Sequence, residues 1–410
     1  MNNRVWCDLF RDLEQPVLER TITGFNVNID RVIPVTRELL SSLPDYKCEP
    51  AEFINRLYHS MRTCTADELV VRDDEVYNQF TGNFHGKNII GGQAGIAAVQ
   101  LASAGVSGVI CIAPSLGDTS AEILLQSGIT IPDRDRTAIG PDKIHLVFEH
   151  SPGIVPIDDG IIPRSNRFIV SPCHPPSATL LDEQHFRTFR IAASFCNHAF
   201  LSGYQYLSSE EEFRAAASQI EGGRVQNPDL RIHVEWVTGA APEVTGWFIR
   251  IILPQADSVG VNEHELGLLY RNLNSSPAGQ DRGRSASVMA CEALEICRFT
   301  GLKRLHLHTF GYYLVVCKDP PNQEMSRDAL ISASRIIAAT AGDVSSGFVS
   351  EGMRALDEIS AVFGNEITTG IYRAGDYTLI VTPTLIVNEI GGTAGLGDRI
   401  SSLAFVADPF

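Results

Sequence analysis

The stretch AFLSGYQYLSSEEEFRAAASQIEGGRVQNPDLRIHVEW, residues 199–236, decides the fold class. It runs from a β-rich segment, AFLSGY, through a helical one, EEEFRAAASQI, to a second β-rich segment, RIHVEW. Strand, helix, strand in that order is the unit of a parallel sheet, because parallel neighbours need a long crossover and a helix supplies it. The alternation extends in both directions. RTITGF, GVICIA, SVGVN, RLHLHT and YLVVC read as further strands, and AEFINRLYHSMRTC, AGIAAVQLASAG and SASVMACEALEICRFTG as helices. The expected class is α/β, a mainly parallel sheet with helices on both faces.

Two stretches break the pattern, residues 62–90 and 136–170. In the second, the strands KIHLVFEH and NRFIVSP flank the turn-rich SPGIVPIDDGIIPRSN. Strands without intervening helices predict a small β-rich lid made of these two segments. It is inserted into one large domain of residues 1–61, 91–135 and 171–410. NLNSSPAGQDRGRS, residues 272–285, reads as a surface loop.

The 410 residues are 44% hydrophobic and 20% charged, which excludes disordered and fibrous classes. With 33 Lys and Arg against 49 Asp and Glu, the net charge of −16 opposes unspecific binding to nucleic acid or anionic membranes. Small molecules are the expected partners. No apolar stretch approaches the roughly 20 residues that cross a bilayer, and MNNRVWCDLFRDLEQ lacks the apolar core of an export signal. Nine cysteines without a CxxC pair fit structural thiols in a reducing cytoplasm.

Three clusters could carry chemistry. In GGTAGLGDRISSLAFVA, glycines 391, 392, 395 and 397 precede Asp398 and an apolar helical run. Glycines let backbone N–H groups converge on an anion at a helix terminus. Asp398 at that terminus suits a general base for phosphoryl transfer; a plain helix cap is the alternative. The second cluster is acidic. His233 and Glu235 close one strand, and Asn262, Glu263, His264 and Glu265 close another, where ligands bind in open α/β sheets. One or two carboxylates there suit Mg²⁺ with substrate phosphates, whereas His233 and His264 lack zinc spacing. Glu263 reads as first-turn helix chemistry. The third cluster is TGFNVNIDRV, whose Asn28 and Asp30 can grip sugar hydroxyls, followed by Gly91, Gly92 and Gln93 at a helix start.

In chain order the motifs are TGFNVNIDRV, GGQAG, HLVFE, PRSNRF, SGYQ, HVE, NEHE, HTFGYY and GLGD. Together they resemble the ADP-dependent glucokinase and phosphofructokinase family of the ribokinase superfamily, over nearly the whole chain. The resemblance implies a ribokinase-like, Rossmann-type large domain with a small β lid. It implies transfer of the β-phosphate of Mg-ADP to a hexose, glucose or fructose 6-phosphate, with release of AMP. Asp398 then matches the base, and the amides of Gly395, Leu396 and Gly397 the anion hole. Glu235 and Glu265 match the acids that hold Mg²⁺, mostly through water. Asn28, Asp30, Gly92 and Gln93 match sugar-binding positions. Arg167, exchangeable with Arg164 in the same motif, matches the arginine that reaches the donor phosphate. His308, Tyr313 and Val387 match the adenine pocket.

Glu68 resembles a glutamate of glucose-using members, or is an exposed acid beside Asp67, while Lys143, Arg164 and Arg167 suit a 6-phosphate. Arg399 departs from the family pattern, and its charge is expected to lower the Asp398 pKa or to add a phosphate contact. An ATP-dependent sugar or nucleoside kinase, and a nucleotide-binding protein without turnover, are the competing readings. Monomer and homodimer both stay open.

Overall fold

The computed structural model describes residues 3–11, 13, 18–43, 52–64, 67–132, 138–139, 142–154, 161–162, 165–173, 182–237, 242–274, 284–364, 366–388 and 395–410. Their largest feature is a ten-stranded sheet. Six strands run parallel in the order Val109–Ile112, Thr21–Gly24, His198–Leu201, Arg231–Glu235, Ser258–Val261 and Arg304–His308. Four antiparallel strands extend it: Tyr312–Lys318, Tyr377–Pro383, Ile371–Ala374 and Glu366–Thr368. The class is α/β, as the strand and helix alternation predicts. YTLIVTP, residues 377–383, is a buried strand that the reading by alternation passes over, because it returns by hairpin and no crossover helix announces it.

The helices start where local chemistry dictates. Ser209 caps Glu210–Gln226 and exchanges bonds with Glu212 in a capping box, satisfying orphan amides at the helix start. Gly92, at φ 72°, precedes Gln93–Ser103, and a side chain there would meet the Asn26 carbonyl at 2.5 Å. Gly395, at φ 69°, precedes the last helix, Leu396–Ala407.

A second, mixed sheet has five strands in the order Asp67–Val71, Asn166–Pro172, Ile144–His150, Asn28–Pro34 and Lys87–Gly91. It is wider than segments 62–90 and 136–170. Asn28–Pro34 belongs to it because both edges of Thr21–Gly24 are taken by Val109–Ile112 and His198–Leu201, so a strand only Phe25–Val27 away cannot pair back onto it. The segment 62–90 also contains a helix, Asp74–Gly82, started by Asp73. This sheet has its own core, in which Phe53, from helix Phe53–Thr63, lies 4.9 Å from Phe80 and 5.0 Å from Phe148 by ring centroids.

Candidate active site

Period-two alternation sorts the central parallel strands into two faces. Ile232, Val234, Val259, Val261, Leu305 and Leu307 fill the apolar core on one side. On the other stand His233, Glu235, Ser258, Gly260, Arg304 and His306, brought side by side by the strand register. A strand buried on both faces usually reads as continuously apolar, so polar alternation marks a buried polar layer. Helix Leu396–Ala407 covers it: Ser401 Oγ lies 3.1 Å from His233 Nε2 and 3.3 Å from His306 Nδ1.

Glycines make this approach possible. A Cβ at Gly260 would overlap the Glu235 carboxylate, and one at Gly397 would stand 2.6 Å from His308 Cε1. The last helix therefore brings its positive amino terminus, with Asp398 in its first turn, onto the strand ends.

Both oxygens of Glu235 are engaged, Oε2 with His233 Nε2 at 3.0 Å and Oε1 with His308 Nε2 at 2.9 Å. Glu265 sits in a reciprocal cap: its Oε2 accepts the Asn262 N–H at 2.8 Å, and Asn262 Oδ1 accepts the Glu265 N–H at 3.0 Å. Burial pushes Glu235 up, but the two histidines outweigh it and hold the carboxyl below the usual range. Glu265 is raised to about 8, chiefly by burial. Burial pulls His308 down, yet Glu235, Glu265 and Asp398 together raise it to about 9. Asp398 is raised to about 7 by burial and the charge of Glu235, against His308 and Arg167. The lowering expected from Arg399 is thus overridden.

The second sheet supplies the facing groups. Asn28 Nδ2 donates to Asp30 Oδ1 at 2.7 Å, and the buried Asn28 Oδ1 has no hydrogen-bond partner among the described residues. Burial raises Asp30 to about 6, opposed by Asn28, Arg167 and Lys143. The charges of Arg167 and Asp30, both on the second sheet, act on Asp398 at the last helix, the first lowering and the second raising its pKa. Gln93 Oε1 accepts from Asn26 Nδ2 at 2.6 Å. Lys143 donates to Asn26 Oδ1 at 3.3 Å and to Tyr206 OH at 3.2 Å, and burial lowers it to about 7. Glu68 is exposed and its Oε1 accepts from the buried Ser171 hydroxyl at 2.5 Å.

Not all expected positions converge. His308, expected beside adenine, is hydrogen-bonded within the acidic cluster; Tyr313 lies across the strand pair from it. Leu396 packs against the apolar core, and Val387 lies in a two-stranded ribbon opposite Val344. Arg164, Gly391 and Gly392 lie outside the described residues. Sequence reasoning missed Asn26, Ser171, Tyr206, Ser258, Arg304, His306 and Ser401; the alternations RIHVE and RLHLH were the available signal for Arg304 and His306. A cleft of about 320 Å³ beside Tyr270, Glu295 and Phe299 contains none of these groups.

The family model for the ADP-specific phosphofructokinase/glucokinase conserved region matches residues 19–407. The chain belongs to this family. It is an ADP-dependent kinase of the phosphofructokinase/glucokinase type. A Pyrococcus furiosus ADP-dependent glucose/glucosamine kinase is 27% identical, over 96% of this chain and 95% of its own. The ADP-specific phosphofructokinase of the same organism is 26% identical, over 94% and 96%. An ADP-dependent kinase solved with fructose-6-phosphate and ADPβS shares the fold at a TM-score of 0.79 and 24% identity, covering 99% of this chain and 96% of that one. A Pyrococcus horikoshii phosphofructokinase solved with AMP gives 0.73 and 22%, covering 96% and 98%. Among the described residues of this family member, no helix is long and apolar enough to cross a membrane.

Proposed function

We propose that this chain transfers the β-phosphate of Mg-ADP to a hydroxyl of glucose or fructose 6-phosphate, releasing AMP. The observation that carries the reading is the convergence of Asp398, Glu235, Glu265 and His308 under a glycine-started helix terminus, with Arg167 and Asp30 facing them. Asp398 takes the proton of the acceptor hydroxyl as that oxygen attacks the β-phosphorus in line. The amides of Gly395, Leu396 and Gly397, with Arg167, neutralise the charge that develops on the phosphoryl oxygens. Asn28, Asp30, Gly92 and Gln93 hold the sugar.

Among the described residues no group of three or more His, Cys, Asp or Glu side chains is placed to hold a metal ion. The donor set nevertheless fits Mg²⁺, which keeps several waters and relies on one or two carboxylates plus substrate phosphates. With both its oxygens already bonded, Glu235 suits a contact through water, and Glu265 is the second acid. Bound there, Mg²⁺ would supply charge stabilisation at the transferring phosphate. Tyr313 and Val387 remain assigned to the adenine end, and His308 to the phosphate end of the nucleotide.

We assign the second sheet as the lid, hinged at Phe25–Val27 and Gly91–Gly92 and closing to exclude water. Glu68 would take a glucose hydroxyl, and Lys143 the 6-phosphate. AMP release from Mg-ADP, measured with glucose, with fructose 6-phosphate, with neither, and with ATP replacing ADP, tests the reading. Sugar-dependent AMP release is expected. Its absence with both sugars overturns the acceptor, and equal turnover with ATP overturns the donor.

A further inference from the structure

Beneath Glu235 the buried side chains His233, Ser258 and Arg304 form a row across three neighbouring parallel strands. Arg304 is fully buried, with Nε 2.9 Å from Asp408 Oδ2, Nη2 3.3 Å from the Ala404 carbonyl and Nη1 3.1 Å from Ser258 Oγ. Asp408 is held in turn by the Ser326 hydroxyl at 2.6 Å. A guanidinium only donates, so Ser258 must accept from Arg304. The Ser258 proton, which Arg304 cannot take, has His233 Nδ1 as an acceptor 2.8 Å away. That leaves the His233 proton on Nε2, 3.0 Å from Glu235 Oε2, and a carboxylate only accepts. The row is consistent from both ends and runs one way.

His233 has an alternative. Ser401 Oγ lies 3.1 Å from the same Nε2, and a Ser401 hydroxyl donating there would suit the opposite tautomer, with Nδ1–H donating to Ser258. Glu235 Oε2 would then face a lone pair. Ser258 would then accept from both Arg304 and Nδ1–H, and Arg304, which only donates, could not take the buried Ser258 proton; that unmade bond is what disfavours this arrangement.

We propose that Arg304, acting through Ser258, is the positioning residue that fixes the Nε2–H tautomer of His233 and so orients the Glu235 carboxylate toward the site. The proposal rests on the reading of Glu235 as an acid of the kinase centre. Asp408 supplies the buried counter-charge, and Gly260 leaves the space that the carboxylate occupies.

The test uses the full chain labelled with ¹⁵N-histidine, without substrates, in the wild type, Ser258→Ala and the double variant Arg304→Gln/Asp408→Asn. The His233 signals are identified by their loss in His233→Gln. The wild type is expected to show a single Nε2–H pattern, and both variants a mixture of tautomers. In parallel, kcat is expected to fall about tenfold, the usual scale for groups that orient a metal-site ligand, while the sugar KM holds. The double variant keeps hydrogen-bonding capacity without buried charge, so it carries the same test if Ser258→Ala fails to fold. An unchanged Nε2–H pattern in a folded variant overturns the proposal, and so does a tautomer mixture with wild-type kcat. The spectrum needs no turnover, so failure of this assignment is distinguishable from failure of the kinase reading.

Discussion

Asp398 combines burial with a charge it must carry to act. Its pKa of about 7, set by burial and by Glu235, places it where a general base is most effective at neutral pH. As the proposed base, Asp398 would work only when ionised, so kcat/KM is expected to rise as pH increases through about 7, the limb belonging to the free enzyme. A pH–rate profile that is flat between pH 6 and 8 would remove Asp398 from this role. Asp398→Asn is expected to lower turnover by about 10²–10⁴ while calorimetric ADP affinity stays close to wild type, because the amide cannot take the proton but adds no bulk.

At the scale of elements, the contact between the last helix and the sheet depends on glycine. A Cβ at Gly260 would strike Glu235 Oε2 and approach Ser401 Oγ at 2.5 Å, both side-chain ends that can give way. Gly260→Ala is therefore expected to cost only about 1–3 kcal/mol of stability in denaturant unfolding. Its effect on kcat should be larger than that cost suggests, since the atom displaced is the carboxylate. Comparable losses in Asp398-independent ligand binding would point to a collapsed site instead.

At the scale of the molecule, the acids near the proposed nucleotide end form no metal cage among the described residues, so a metal ion bound there would contribute to chemistry more than to folding. Removing divalent ions with EDTA is expected to abolish turnover, reversibly on adding Mg²⁺, while the melting temperature of the substrate-free protein stays unchanged. Each sheet has a core of its own, but Ile29 and Ile90 of the second sheet also belong to a core shared with Val109 and Cys111 of the first, and short connections such as Phe25–Val27 join the two. Small-angle scattering is expected to show a smaller radius of gyration with sugar and nucleotide together than with neither. Equal radii would argue against closure of the second sheet.

The α/β class and the parallel strands were legible in residues 199–236 and their neighbours, because strand and helix periods are local properties of the chain. The placement of Glu235 at a strand end and of Glu265 and Asp398 in first helical turns was legible as well, since strand ends and helix starts can be located from sequence. The sequence could not show that Asn28–Pro34 leaves the first sheet, because its alternation serves either sheet equally and only the pairing of both edges of Thr21–Gly24 decides. Nor could it join His308 to Glu235 or Arg304 to His233, separated by about seventy residues of chain. Those partnerships are set by strand register and by the height of the last helix above the sheet. Both are fixed only when all six parallel strands are in place.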